Sequence, residues 1–151
     1  MFREDYLMRM IQQLADFISH VAGLNQQGEH DKALAEADQA WGKLLDAPRA
    51  LIDAVDTPTL AGMLREPAKI RAAARLCFEE ARALAAKGDP PRAQLRYRRA
   101  LELLLEVRAL DPHASTSQDE ALLGELSGIV PADTVDPRYR PRDEARVTAA
   151  G

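Results

Sequence analysis

Two helical patterns on either side of Gly88 constrain the fold of this chain more than any other feature. Small and apolar residues recur at spacings of three and four before the glycine and again after it, which places each set on one face of a helix. The two faces comprise Ala73, Cys77, Ala81 and Leu84, followed by Ala93, Tyr97, Ala100, Leu101 and Leu104. Because small side chains let two helix backbones approach, this stretch predicts an antiparallel helical hairpin.

The composition favours the same architecture for the rest of the chain. Hydrophobic residues make up 46% of the 151 residues, enough for one domain with a buried core. Aromatic residues make up only 5%, and alanine and leucine dominate, which favours helices over sheet. We therefore expect an all-α fold of about six or seven helices over residues 1–130. Prolines at positions 131, 137 and 141 predict a tail over residues 131–151.

The hairpin around Gly88 resembles a known repeat family. Its pattern consists of Gly88, Ala93, Tyr97, Ala100 and Leu101, followed by Asp111 and Pro112. This order resembles the second half of a tetratricopeptide repeat, in which glycine ends the first helix and proline closes the unit. The first half departs from the family, since Cys77 stands where tryptophan is usual and Glu80 where leucine is usual.

A second hairpin of the same kind is indicated upstream, around Gly28. Its pattern consists of Gly28, His30, Ala33, Ala37, Ala40 and Trp41, preceded by Phe17, Val21 and Leu24. The two glycines are separated by 60 positions, whereas the family repeats at about 34, so the hairpins are not tandem repeats. The opening segment REDYLMRMIQQL, together with the two hairpins, is also similar to a small bacterial family without an assigned activity.

Short helices are predicted between and after the hairpins. One is expected between Pro48 and Asp56, and a second begins at Thr57-Pro58 with the threonine as its cap. Asp31 is expected to cap the helix after Gly28. A final helix, capped by Ser115 or Ser117, would cover the second hairpin with its apolar face. That face consists of Leu122, Leu123 and Leu126.

The candidate binding site is a stripe on the long helix expected over residues 67–87. Arg71, Arg75, Phe78 and Arg82 follow one another at steps of four, three and four, so they lie on one side of it. The resemblance implies that the last three line the concave groove of the repeat family. Guanidinium groups beside an aromatic ring suit a peptide that carries carboxylates and one apolar anchor. Alternatively, Glu79 could pair with Arg75 or Arg82 in ordinary surface ion pairs.

The sequence gives little sign of catalytic chemistry. There is no glycine-rich phosphate loop, nucleophile motif or plausible triad. His20, His30 and His113 lie in separate segments, and adjacent Glu79 and Glu80 diverge on a helix, so neither a metal site nor an acid–base pair is indicated. We therefore predict no enzymatic activity, no cofactor and no metal.

A basic cluster on the second helix of the Gly88 hairpin raises the question of nucleic acid. It consists of Arg92, Arg96, Arg98 and Arg99. The only interleaved aromatic residue, Tyr97, belongs to the hairpin core, and Glu102 and Glu106 are spaced to pair with the arginines. With a net charge of −4, the chain is predicted to bind neither nucleic acid nor an anionic membrane.

The expected setting is the cytoplasm. A single cysteine cannot form an intramolecular disulfide, which is consistent with a reducing compartment. The pattern of the N-terminal segment predicts an amphipathic helix rather than a signal peptide. No apolar run is long enough to span a bilayer.

Three classes of function follow, in order of preference. The first is a cytoplasmic adaptor that binds a protein or an acidic peptide. The second is a self-assembling homodimer, because Leu103 and Val107 point about 100° or more from the face that carries Leu101, Leu104 and Leu105. The N-terminal hairpin, the final helix or a second copy of the chain must cover that side. An enzyme whose site is assembled by tertiary contacts comes third.

Overall fold

The computed structural model describes residues 2–113 and 115–140 and, apart from that of residue 2, their side chains. Seven α-helices follow one another, and the described part of the chain contains no strand, which confirms the predicted all-α class. The helices are α1 (Phe2–Gln26), α2 (His30–Leu44), α3 (Arg49–Ala54), α4 (Thr57–Leu64), α5 (Pro67–Ala86), α6 (Pro90–Leu110) and α7 (Ser117–Ile129). Two short 3-10 turns come last, Ala132–Thr134 and Pro137–Tyr139.

Both predicted hairpins are present, and each turns at its glycine. Gly28 and Gly88 have φ angles of 80° and 82°, a conformation that glycine adopts without steric cost. After each glycine the next amide reaches back to a carbonyl five residues earlier, from Glu29 to Leu24 and from Asp89 to Leu84. This is the Schellman arrangement, so α1 and α5 end where the sequence predicts.

The hairpins are joined through α5, which packs against α6 and also against both α1 and α2. The short helices lie in the connection between the hairpins, as expected: α3 contacts α2, and α4 contacts α5 and α6. α7, the last of the seven helices, packs on α6. None of the helices among the described residues combines the length and apolar character needed to cross a membrane.

Two predicted helix caps are wrong by one residue or more. The cap of α4 is Asp56, whose carboxylate accepts a hydrogen bond from the amide of Thr59 at 2.9 Å, whereas Thr57 is already helical and buried. Similarly, α2 begins before Asp31, and the Asp31 carboxylate pairs with Lys87 instead. At α4 both adjacent residues have side chains that can cap a helix, whereas α2 begins after Glu29 without a side-chain cap hydrogen bond.

The cap of α7 is Thr116 rather than Ser115 or Ser117. The hydroxyl of Thr116 accepts from the amide of Asp119, and the Asp119 carboxylate accepts from the amide of Thr116, which forms a capping box. This reciprocal pair needs an acidic residue three positions after the cap. Ser115 instead donates to Glu120 at 2.7 Å.

The packed part of the chain extends past residue 130, where the compact domain was expected to end. Val135 is buried, and the amide of Asp136 donates to Glu102 at 3.0 Å. The hydroxyl of Tyr139 donates to Glu106 at 2.5 Å. Pro131 precedes the first 3-10 turn and Pro137 starts the second, so both are compatible with this packing. The rest of the expected tail, residues 141–151, lies outside the described residues.

The second side of α6 is covered within the chain. Leu103 is fully buried and Val107 is 2% exposed. α4 and α7 both pack against α6, and the segment after α7 is hydrogen bonded to it. Of the alternatives, cover from within the chain is therefore the one observed, and these two residues give no reason to expect a second copy.

Candidate functional site

An open groove runs between three helices that are distant in sequence. α1 and α7 form its sides and α5 lies between them, and its volume is about 700 Å³. Much of its lining is small or apolar: Ile11, Ala15, Ile18, Ala22, Ala68, Ala72, Phe78, Ala121 and Leu122. Three of the four predicted site residues, Arg71, Arg75 and Phe78, line this groove together. α1 and α7 supply the remaining surfaces, which the spacing along one helix could not reveal.

Arg71 and Arg75 lie against the N-terminal turn of α7. The Nε of Arg71 donates to Asp119 Oδ2 at 2.8 Å, and Arg75 Nη2 donates to Gln118 Oε1 at 2.9 Å. Arg75 Nη2 also lies 3.7 Å from Asp119 Oδ1, an ion pair without a hydrogen bond. Asp119 is buried, so the two arginines compensate its charge and hold α7 in place.

Arg75 retains capacity to bind a further group. Its side chain is 32% exposed, and among the described residues only one of its terminal nitrogens makes a hydrogen bond. A guanidinium group carries five N–H donors, so several remain available to a carboxylate in the groove. Arg71 is less exposed, and its Nε is already committed to Asp119.

Phe78 and Arg82 lie further along α5. The Phe78 ring is 5.9 Å from the ring of Tyr97, and the Arg82 guanidinium is 5.8 Å from the Phe78 ring centroid. Arg82 Nη1 donates to Glu79 Oε1 at 2.9 Å. The predicted ion pair with Glu79 is thus confirmed for Arg82, which is not part of the groove lining, whereas Arg75 bonds to α7 instead.

The positively charged residues of the groove lining are Arg71 and Arg75. Three acidic residues also line the groove: Asp16 on α1, Glu79 on α5 and Glu125 on α7. A ligand carboxylate is therefore favoured beside the arginines and disfavoured near the acidic side chains.

A buried ion pair on another side of α5 has no counterpart in the sequence prediction. Glu80 is 4% exposed and accepts two hydrogen bonds from Arg49 Nη2, each of 2.8 Å. It also accepts from the indole nitrogen of Trp41 at 3.0 Å. Burial alone would lower the pKa of Arg49, but the Glu80 carboxylate outweighs it and the pKa is raised. The only sequence signal was an acidic residue where the repeat family has leucine.

Glu79 and Glu80 diverge as predicted, and each ties α5 to a different helix. Asn25 of α1 donates through Nδ2 to the backbone carbonyl of Glu79 at 2.9 Å and to its carboxylate at 3.3 Å. The other side of the Asn25 amide contacts His30 Nδ1 at 3.0 Å. The two glutamates therefore serve the packing of α5 on α1, α2 and α3.

Two arginines of the basic cluster on α6, Arg96 and Arg99, are paired with the short helices, whereas Arg92 lies 3.7 Å from Asp89 at the start of α6 itself. Arg96 donates two hydrogen bonds to Asp53, of 2.6 and 3.0 Å, and Arg99 donates to Thr57 at 3.2 Å. Glu102, the expected partner on α6, instead accepts from the Thr57 hydroxyl at 2.6 Å. The predicted local pairs are absent from the described structure, because α3 and α4 bring polar groups closer to these arginines.

Cys77 is buried, and burial together with the nearby Glu80 carboxylate raises its pKa to about 12. Since the thiolate is the reactive form, iodoacetamide at pH 8.5 should alkylate the native chain at least about 100-fold more slowly than the urea-unfolded chain. A thiol in an unfolded chain titrates near 8.5, so this group makes folding less favourable as pH rises from about 8.5 towards 12. A native rate within tenfold of the unfolded rate would contradict this assignment.

Comparison with known proteins does not place the chain in a family: no family model, curated protein or solved structure matches it. Within the described residues, no three histidine, cysteine, aspartate or glutamate side chains are grouped as a metal site.

Proposed function

We propose that this protein is a non-catalytic cytoplasmic adaptor that binds an acidic peptide segment of a partner protein. The observation that carries the proposal is the groove between α1, α5 and α7, where partly exposed Arg75 lies beside an apolar lining that includes Phe78. A charged group that fixes orientation, set in a mostly apolar concave surface, is the usual composition of a binding site.

The packing order supports a likeness between the two hairpins and tetratricopeptide units. α5 contacts both helices of the preceding hairpin, and the first helix of each hairpin faces the same groove. In stacked helical repeats the same relation builds an extended concave surface. On this proposal α7 acts as the terminal capping helix, and its Leu126 is fully buried.

The proposed contact assigns separate roles to the two arginines. Arg71 is a positioning residue, because its hydrogen bond to Asp119 holds α7 and so shapes one side of the groove. Arg75 is the binding residue, since it has exposed donors for a carboxylate. Phe78 would contact the apolar anchor of the peptide. Arg82 would contribute mainly by pairing with Glu79 beside the Phe78 ring.

The proposal predicts that the protein captures acidic peptides that carry one large apolar residue. A pool of capped dodecapeptides, each with one leucine or phenylalanine and two or three glutamates, is passed over the immobilised protein. We expect retained peptides to bind Arg75→Gln and Phe78→Ala variants about tenfold or more weakly, because each removes one contact of about 1.4 kcal/mol or more. Binding should also weaken with added salt, since it includes an exposed charge.

The matched controls are Arg92→Gln and Leu95→Ala, which remove an exposed charge and an exposed apolar side chain from the depression between α6 and the short helices. Both should leave the affinity of retained peptides unchanged. The proposal fails if the wild-type protein retains no peptide, or if the control and groove variants lose affinity equally. Circular dichroism of each variant shows whether a loss comes from unfolding.

A further inference from the structure

The groove is lined by alanine from all three of its helices. Ala15 lies on α1, Ala68 and Ala72 lie one turn apart on α5, and Ala121 lies on α7. Methyl groups at these positions leave the helix backbones close to the groove surface. Small residues at a contact let helix axes approach to about 8–10 Å, so this surface suits the side chains of a further helix.

Several polar side chains of the lining are already hydrogen bonded to other side chains. Gln12 is hydrogen bonded to Asp16, Gln118 to Arg75, and Glu79 to Arg82. An extended segment would bring an N–H and a C=O group per residue into this apolar surface, and buried backbone groups need partners. A helix pairs these groups internally and presents only side chains.

The apolar face of α1 continues beyond the groove lining towards its N-terminus. Met8 precedes Ile11 by three positions and Ala15 by seven, so the three share one helical face. Met8 is 71% exposed. From Met8 to Ala22 this face spans about 21 Å along the axis, which matches about four turns of a partner helix.

We infer that the segment bound in the groove is an amphipathic α-helix of about four turns, with its apolar face on Phe78 and Met8 and a carboxylate at Arg75. This inference rests on the proposed function and specifies the form of its ligand. The carboxylate must lie on the flank of the partner helix that faces α7, since Arg75 is bonded to Gln118 on that side.

Three synthetic 16-residue peptides test the form of the ligand, and alanine, leucine, glutamate and glutamine make up the first two. The first carries leucine at helical spacings of three and four, with glutamates along one flank. The second has the same composition in an order that removes the apolar stripe, and the third has proline at two central positions. We expect the first to bind at least tenfold more tightly than either of the others, and to gain helical circular dichroism on binding.

A matched pair of variants tests the extension along α1. Met8→Ser should weaken binding of the amphipathic peptide severalfold, whereas Leu110→Ser, at an exposed leucine of α6, should leave it unchanged. Equal binding of the proline-containing peptide would overturn the helical ligand but leave the adaptor proposal in place. Failure of all three peptides, together with an empty result from the dodecapeptide pool, would overturn both.

Discussion

Replacing Glu80 with alanine is expected to lower the free energy of unfolding by about 3 kcal/mol, at the lower end of the range of about 3–5 kcal/mol for breaking a buried ion pair. The substitution leaves the buried Trp41 indole N–H without its acceptor and removes two hydrogen bonds from Arg49. The lower end is expected because Arg49 is 23% exposed and keeps its contacts with Asp38 and Asp53. Urea unfolding followed by circular dichroism measures the change.

Two further variants separate the parts of this effect. Glu80→Gln keeps an acceptor for the Trp41 indole but removes the charge, so its loss should be smaller than that of the alanine variant. Glu125→Ala removes an exposed glutamate and should change stability by no more than about 0.5 kcal/mol. A loss below about 1 kcal/mol for Glu80→Ala would show that water reaches this pair and that it does not join α5 to α2 and α3.

Replacing Leu103 with alanine is expected to cost about 2–5 kcal/mol of stability, because it removes three buried carbon atoms and leaves a cavity. Leu103 is fully buried, whereas Leu110 on the same helix is 56% exposed. The same change at Leu110 should cost less than about 1 kcal/mol, since little apolar area returns to water. The two variants carry the same substitution in the same helix and differ in how deeply the replaced leucine is buried.

The Leu103 experiment also tests which chain covers α6. If α4, α7 and residues 131–140 cover it, the melting temperatures of the wild type and the variant should not depend on protein concentration. A melting temperature that rises with concentration would indicate that a second copy contributes to the stable form. Sedimentation equilibrium would then have to show a particle larger than 16.6 kDa.

The sequence by itself determined the helical class and the places where both hairpins turn. These features depend on local physics. A period of three and four residues places apolar side chains on one helical face, and a glycine at positive φ ends a helix whatever surrounds it. For the same reason Arg71, Arg75 and Phe78 could be placed on one side of α5 from spacing alone, and the structure brings them to one groove.

Only the tertiary structure determined the bonding partners of polar side chains such as Arg71 and Glu80. Arg71 is hydrogen bonded to Asp119, 48 positions away in the sequence, and Glu80 is hydrogen bonded to Arg49, 31 positions away. The spacing of residues on one helix holds no information about such partners, because they depend on how α3 and α7 dock. The same limit applies to α6, which packs against α4 and α7 as well as against α5 of its own hairpin. Local periodicity shows which residues share a face, but only packing shows what that face contacts.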